Sequence, residues 1–123
     1  MPRIITVNNL TKSTQEPARV GFCDTFLCRL RGLMFRPRLD INDGLLLVEK
    51  RDSRIDTSIH MFFVPFNIAV FWINSNMTVV DKVIAKSWRP AYLSKENARY
   101  ILEIHPDRIG DYEIGDKVEF KNV

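Results

Sequence analysis

The chain has 123 residues, a length typical of one domain, and we expect a single β-rich domain over residues 1–123. Hydrophobic residues make up 46% and charged residues 27% of the sequence, a mixture that excludes a disordered or low-complexity protein. The net charge of +3 is modest, and the longest apolar run is shorter than the ~20 residues with which a helix crosses a bilayer, which excludes a membrane-spanning helix.

The first predicted elements are a hairpin and a helix. The segment RIITV is rich in β-branched residues, and ARVGF resumes an extended pattern after a polar connection, which together predict a hairpin. Asp24 can cap a helix that starts at Thr25, and Gly32 and Pro37 mark the end of that helix. Its apolar residues at helical spacing are Phe26, Leu27, Leu30 and Met34.

The rest of the chain favours strands. GLLLVEK is a short buried strand, and SIHMFFV and FNIAVFWI are apolar on both alternating faces, so we expect both at the centre of the fold. The triplet NSN predicts a hairpin into MTVVDKVI, and RYILEI leads through one short helical turn to a closing strand, DKVEF. The predicted fold is mainly β: a small jelly-roll-like β-sandwich or partly closed barrel with one or two short helices.

Cys23 and Cys28 are the two cysteines of the chain. Four residues separate them, which is neither the spacing of a redox dithiol nor that of a zinc knuckle. We interpret them as buried, reduced thiols, with a disulfide or a reactive thiol as the alternatives. The start of the chain lacks the apolar stretch of a secretory signal, so we expect a cytoplasmic protein.

Several short motifs make the chain resemble an uncharacterised family, domain of unknown function 192. The resemblance covers the chain from about residue 18 onward and implies a compact, jelly-roll-like β fold with short helices and no established activity. Where the family usually has proline, an aliphatic residue and aspartate, this chain has Asn67, Ile68 and Ala69, so a site supported by that aspartate would be altered or absent here. The matching segments are Gly32-Leu33-Met34, Gly44-Leu45-Leu46-Leu47, Ile59-His60-Met61-Phe62-Phe63, Tyr100–Ile104 and Ile114-Gly115-Asp116.

His60 is the residue of this sequence with the clearest potential for chemistry, because imidazole titrates near neutrality. No partner that would make it a general base is visible nearby, since Asp56 on the same strand would lie about 13 Å away. We therefore favour a core histidine that is hydrogen-bonded to the backbone, and we predict no catalytic residue. No spacing typical of a metal site or a phosphate-binding loop is present, so we expect neither a metal nor a cofactor.

A pocket is the leading functional hypothesis. It would be lined by Met34, Met61 and Phe63, with His60, Asn67 and Arg31 as polar groups, although large apolar residues in a domain of this size mainly form core. The predicted function is non-catalytic binding of a small molecule or a protein near the first helix and the His60 strand. One alternative is a hydrolase-like or isomerase-like enzyme with His60 as general base.

A second alternative is weak binding of an anion or nucleic acid. The segment RLRGLMFRPR contains four arginines and no acidic residue, so it could attract a phosphate group. A solvated helix face is the simpler interpretation, and we expect neither nucleic acid nor a membrane as the partner. The arginines are Arg29, Arg31, Arg36 and Arg38.

Overall fold

The computed structural model describes residues 3–13 and 16–123. This part of the chain contains seven strands, one short α-helix and one turn of 3-10 helix. The strands are β1 (Ile4–Asn9), β2 (Ala18–Cys23), β3 (Gly44–Ser53), β4 (Ile68–Ile73), β5 (Val79–Ala85), β6 (Ala98–Ile104) and β7 (Val118–Asn122); α1 spans Phe26–Arg31, and the 3-10 turn spans Pro106–Arg108.

The described strands form one sheet in the order β5-β4-β6-β3-β2-β1-β7. Neighbouring strands are antiparallel except β2 and β3, which are parallel and joined through α1. A bridge between Thr78 and Lys117 brings the edges of the sheet together at one end, and the sheet curls into a half-barrel. The mainly β prediction is confirmed, as are the β1–β2 and β4–β5 hairpins. The predicted connection of the first hairpin includes residues 14 and 15, which lie outside the described residues.

Both faces of the central strands are covered by apolar side chains. One cluster includes Phe71, Leu102 and Tyr112, and a second cluster on the other face includes Trp72 and Ile101. All six residues of β4 are buried, so the prediction that FNIAVFWI lies at the centre of the fold is confirmed. We call the face of the second cluster the outer face, because α1 and residues 58–64 pack there.

The prediction that SIHMFFV forms a central strand is wrong. Ile59 makes a single bridge with Tyr92, and the rest of the segment is irregular. Ile59, Met61 and Val64 are buried against the outer face, but Phe62 and Phe63 are exposed, and Phe63 has a φ of 61°, which a strand does not accommodate. The segment is apolar because it covers a sheet face, not because it belongs to the sheet.

Helix α1 begins one residue later than the sequence predicts. The side chain of Thr25, rather than that of Asp24, accepts a hydrogen bond from the Cys28 N–H at 3.2 Å. The helix ends at Gly32, whose φ is 49°, and it contains no buried residue. Its apolar side chains Phe26, Leu27 and Leu30 therefore face solvent. None of the described helices is long and apolar enough to cross a membrane.

The interpretation of the cysteines as reduced thiols is wrong. Cys23, at the end of β2, and Cys28, in α1, form a disulfide with a Cα–Cα distance of 5.6 Å. Cys23 is buried as expected, but Cys28 is only partly buried. The spacing alone could not indicate the bond, because its formation depends on how α1 turns back on the end of β2.

We expect the Cys28→Ser variant to be less stable than the wild-type protein by roughly 2 kcal/mol, because the closed loop is short and removes little entropy from the unfolded chain. Urea unfolding of the variant and of the wild type, with and without reductant, measures this difference. Reduction should lower the stability of the wild type by a similar amount and leave the variant unchanged. Two reactive thiols in the native protein in non-reducing buffer would contradict the bond.

Candidate functional site

Glu103 is a buried acid in the middle of the sheet. It lies in β6 between Leu102 and Ile104 of the first cluster, so strand alternation turns its side chain to the outer face. Its neighbours on the adjoining strands are Leu45 and Val70, neither of which is ionisable. Glu103 is only 5% exposed, and burial raises the pKa of its carboxyl group to about 7.

The Glu103 carboxyl group has no hydrogen-bond partner among the described residues. Buried polar groups in proteins are normally paired. No side-chain nitrogen or oxygen of the described residues that is fully enclosed lacks a partner, so the unpaired Glu103 oxygens reach space large enough for water. No charge of the described residues compensates it either, because burial is the one cause of its pKa shift. The group is therefore kept largely protonated below neutral pH.

A cavity of about 60 Å³ lies over this carboxyl group. The end of α1 and residues 58–64 form its roof, and a Cβ atom placed on Gly32 would be 3.8 Å from Glu103 Oε1. We call it the Glu103 cavity. Its polar lining residues are Arg29, Arg31, Ser58, His60 and Glu103, and its apolar ones include Leu33, Met34, Leu47, Met61, Val64 and Ile68.

The roof segment is held firmly by backbone contacts. The indole N–H of buried Trp72 donates to the Thr57 carbonyl at 2.8 Å, at the start of the segment. Ile59 and Tyr92 exchange two backbone hydrogen bonds, and Met61 N–H donates to the Arg89 carbonyl at 2.9 Å. These bonds pair backbone N–H and C=O groups of the irregular roof segment and fix its position over the sheet.

The favoured interpretation of His60 as a core histidine is only partly right, because the residue is bonded to the backbone but lies half-buried at the cavity and outside both core clusters. Its Nδ1 accepts a hydrogen bond from the Phe62 N–H at 3.2 Å, and its ring lies 5.5 Å from the Phe62 ring. Because Nδ1 accepts, the neutral ring carries its proton on Nε2. The imidazole therefore offers a hydrogen-bond donor at Nε2, and the nitrogen that could take up a proton is already engaged.

The structure brings together four of the six ligand-binding candidates from the sequence. Arg31, Met34, His60 and Met61 line the Glu103 cavity, and Phe63 and Asn67 do not. Phe63 stacks on Phe35 and meets Trp88 edge-on, forming an exposed aromatic cluster. Asn67 accepts a hydrogen bond from the Ser87 N–H at 2.9 Å.

Of the four arginines of the predicted anion site, Arg29 and Arg31 line the Glu103 cavity, and Arg36 and Arg38 do not. Three of them form ion pairs, which leaves Arg31 as the member of the set without an ion-pair partner among the described residues. The pairs are Arg29 Nε with Glu49 at 2.9 Å, Arg36 with Asp43 at 3.2 Å and Arg38 with Asp40 at 3.8 Å.

Glu103 is the residue that sequence reasoning missed. Its signal was an acid inside the apolar run Ile101–Ile104, but a single acid at one position of a strand is also common on a solvated face. Within residues 3–13 and 16–123, no three His, Cys, Asp or Glu side chains lie close enough to hold a metal ion.

The position where the family pattern has aspartate is not part of this cavity. Ala69 is fully buried in the first cluster together with Leu102 and Ile104, on the face of the sheet opposite the Glu103 side chain. The departure from the pattern therefore leaves the lining of the Glu103 cavity intact.

Comparisons with known proteins agree with this architecture. A UPF0127 protein of Thermococcus sibiricus is 39% identical over 116 residues, which cover 92% of this chain and 73% of the relative. A UPF0127 protein of Pyrococcus furiosus is 38% identical over 119 residues, 94% of this chain and 97% of the relative. A crystal structure from Sinorhizobium meliloti has a TM-score of 0.81 at 20% identity and covers 96% of this chain and 92% of that chain, a likeness that shows the fold alone. The family model described as Uncharacterized ACR, DUF192, matches residues 7–120, and the chain belongs to this family of unknown function.

Proposed function

We propose that the protein is a non-catalytic binding domain and that its ligand is a small molecule held in the Glu103 cavity. The observation that supports this is the buried Glu103 carboxyl group, which no described residue pairs. A group of this kind lowers the stability of the folded protein, so it is expected where a ligand uses it. The cavity also has the usual composition of a small-molecule site, with apolar walls and a few polar groups.

A small molecule is a better partner than a protein, a nucleic acid or a membrane. The concave, narrow shape of the cavity favours an occupant of a few atoms over a protein surface. Nucleic-acid binding would need a continuous basic surface, but three of the four arginines are already paired with carboxylates. We propose no cofactor.

A second candidate is an enzyme that uses Glu103, rather than His60, as its general acid or base. The pKa of about 7 at Glu103 favours this candidate, because proton transfer is efficient when the pKa lies near the working pH. Acetone in D₂O provides a simple test: the carboxylate would remove a methyl proton to leave the enolate, the resulting carboxylic acid would exchange its proton with D₂O, and it would then give a deuteron to the enolate carbon. Exchange that the Glu103→Gln variant abolishes would support an enzyme.

We propose the cytoplasm as the location of the protein. Disulfides persist mainly in oxidising compartments, and the intracellular proteins of hyperthermophiles are the exception, so the Cys23–Cys28 bond fits a cytoplasmic location only in an organism of that kind. The redox state of the two cysteines, trapped by acid and alkylation in the source cells, would test this together with cell fractionation.

The binding proposal predicts that at least one very small molecule enters the Glu103 cavity. We expect one or more of acetate, methylammonium, methanol, acetamide and imidazole to shift the backbone amide NMR signals of Gly32, Ser58 and Met61. The Met34→Trp variant fills the cavity and should abolish the shifts, and Ile114→Trp, at a position that is 57% exposed and away from the cavity, should retain them. Failure of all five probes to shift these signals would overturn the proposal.

A further inference from the structure

An apolar surface continues outward from the Glu103 cavity. Leu27, Leu30 and Phe35 are 74%, 56% and 65% exposed, and with Met34 they line a shallow groove. Four residues line both this groove and the cavity: Leu30, Arg31, Met34 and His60. Large adjacent apolar side chains in solvent mark an interaction site, so one ligand that spans both regions would explain why α1 buries none of its residues.

The groups at the junction of the cavity and the groove are hydrogen-bond donors. His60 offers the Nε2 proton, because its Nδ1 accepts from Phe62. Arg31 is exposed, and no hydrogen bond or ion pair from the described residues engages its guanidinium group. The protonated Glu103 carboxyl group, which lacks an acceptor, adds a third donor at the cavity floor.

The charges around the site favour an anion. The charged or titratable residues that line the cavity with Glu103 are Arg29 and Arg31 of α1 and His60 of the roof segment, and its strand neighbours Leu45 and Val70 are uncharged. Arg29 forms an ion pair with Glu49, and both line a neighbouring groove beside His60 together with Asp56, which pairs with Arg51. Arg31 is then the uncompensated charge at the entrance, and it would attract an anion and repel a cation.

The size of the cavity limits what can enter it. One water molecule needs about 15 Å³ of cavity volume, so a cavity of about 60 Å³ has room for a group of about four heavy atoms. A carboxylate with one or two carbon atoms fits. Any longer hydrocarbon chain must leave through the entrance and lie in the apolar groove.

We infer that the ligand is a monocarboxylate with a short hydrocarbon chain. Its carboxylate accepts hydrogen bonds from Arg31, His60 and protonated Glu103, and its chain lies in the groove formed by Leu27, Leu30, Met34 and Phe35. This inference rests on the proposed binding function and names the class of ligand.

The test uses acetate, butanoate, hexanoate, hexylammonium and hexanol as probes, titrated at pH 6 by calorimetry and NMR. We expect affinity to rise about twofold to threefold per methylene along the carboxylate series, since the groove buries only part of each methylene. Hexanoate should bind at least about tenfold more tightly than hexylammonium or hexanol, because these two probes have no carboxylate to accept hydrogen bonds from the donors of the site. Equal or tighter binding of hexylammonium or hexanol would overturn the inference and leave small-molecule binding intact.

Two variants test the role of the donors. Hexanoate affinity of the wild type should fall by about tenfold per pH unit above pH 7, because Glu103 must be protonated to donate. Glu103→Gln keeps an amide donor at every pH, so its affinity for hexanoate should be independent of pH over the same range.

Arg31→Gln should weaken hexanoate binding about tenfold, and Arg38→Gln, the matched control outside the cavity, should leave it unchanged. A wild-type affinity that does not change between pH 6 and pH 9, or equal effects of the two arginine variants, would contradict the inferred ligand.

Discussion

Replacing Gly44 with alanine is expected to lower the free energy of unfolding by about 3 kcal/mol. Gly44 is the first residue of β3 and pairs with Ile104 of β6. A Cβ atom there would lie 2.4 Å from the Glu103 carbonyl oxygen and 2.8 Å from the Ile104 Cγ2 atom. Since the first of these atoms belongs to the backbone, it cannot move aside without separating the two strands.

Gly110→Ala is the matched control for this substitution. No atom lies within 4 Å of the Cβ that it would add, so its unfolding free energy should stay within about 0.5 kcal/mol of the wild type. Urea unfolding of both variants, followed by circular dichroism, makes the comparison. A Gly44→Ala protein as stable as Gly110→Ala would show that β3 and β6 do not approach as closely as described, and hence that Glu103 is less deeply enclosed.

The second large effect concerns pH. The carboxyl group of Glu103 has a pKa of about 7 in the folded protein and about 4.5 in the unfolded chain. Below pH 4.5 both states hold the proton. As the pH rises from 4.5 to 7 the unfolded state loses its proton first, so the folded state loses up to about 3 kcal/mol of stability relative to the unfolded state. Above pH 7 both states are ionised, and the loss is complete.

The Glu103→Gln variant lacks this titration. The stability of the variant relative to the wild type should therefore rise by about 3 kcal/mol between pH 4 and pH 8, as measured by urea unfolding at several pH values. Glu113→Gln is the control, and its stability relative to the wild type should fall, not rise, over the same pH range. A hydrogen bond from Lys82 lowers the pKa of Glu113, so the wild type gains stability when this group ionises. A difference between wild type and Glu103→Gln that is constant with pH would show that Glu103 ionises normally.

The strands were largely predictable because their signals are local. The buried run of β4, the NSN turn after it and the β-branched residues of β1 are properties of neighbouring residues, and the structure confirms each of them. The residues 58–64 were misassigned because an apolar segment that covers a sheet has the same composition as a strand inside it. The positive φ of Phe63, which prevents a strand there, has no signal in the residue type.

The site was less predictable because it depends on distant parts of the chain. His60, Met61, Met34 and Arg31 were found through their chemistry or their place in a motif, but nothing in the sequence showed that they surround an acid more than forty residues later in β6. The burial of Glu103 follows from the packing of β6 between β3 and β4 and from the roof over it. The disulfide depends in the same way on the direction in which α1 leaves β2.

The pKa of Glu103 itself is the most direct test of the account. Carbon-13 NMR of the glutamate side-chain carboxyl carbons, followed from pH 3 to pH 9, measures it in the intact protein. We expect Glu103 to titrate at about 7 and Glu113 below the usual value for glutamate, because the first is buried without a partner and the second is hydrogen-bonded to Lys82. A Glu103 carboxyl that titrates near 4.5 would show that the group is hydrated or paired. It would contradict the proposal that an unpaired carboxyl group at the floor of the cavity binds the ligand.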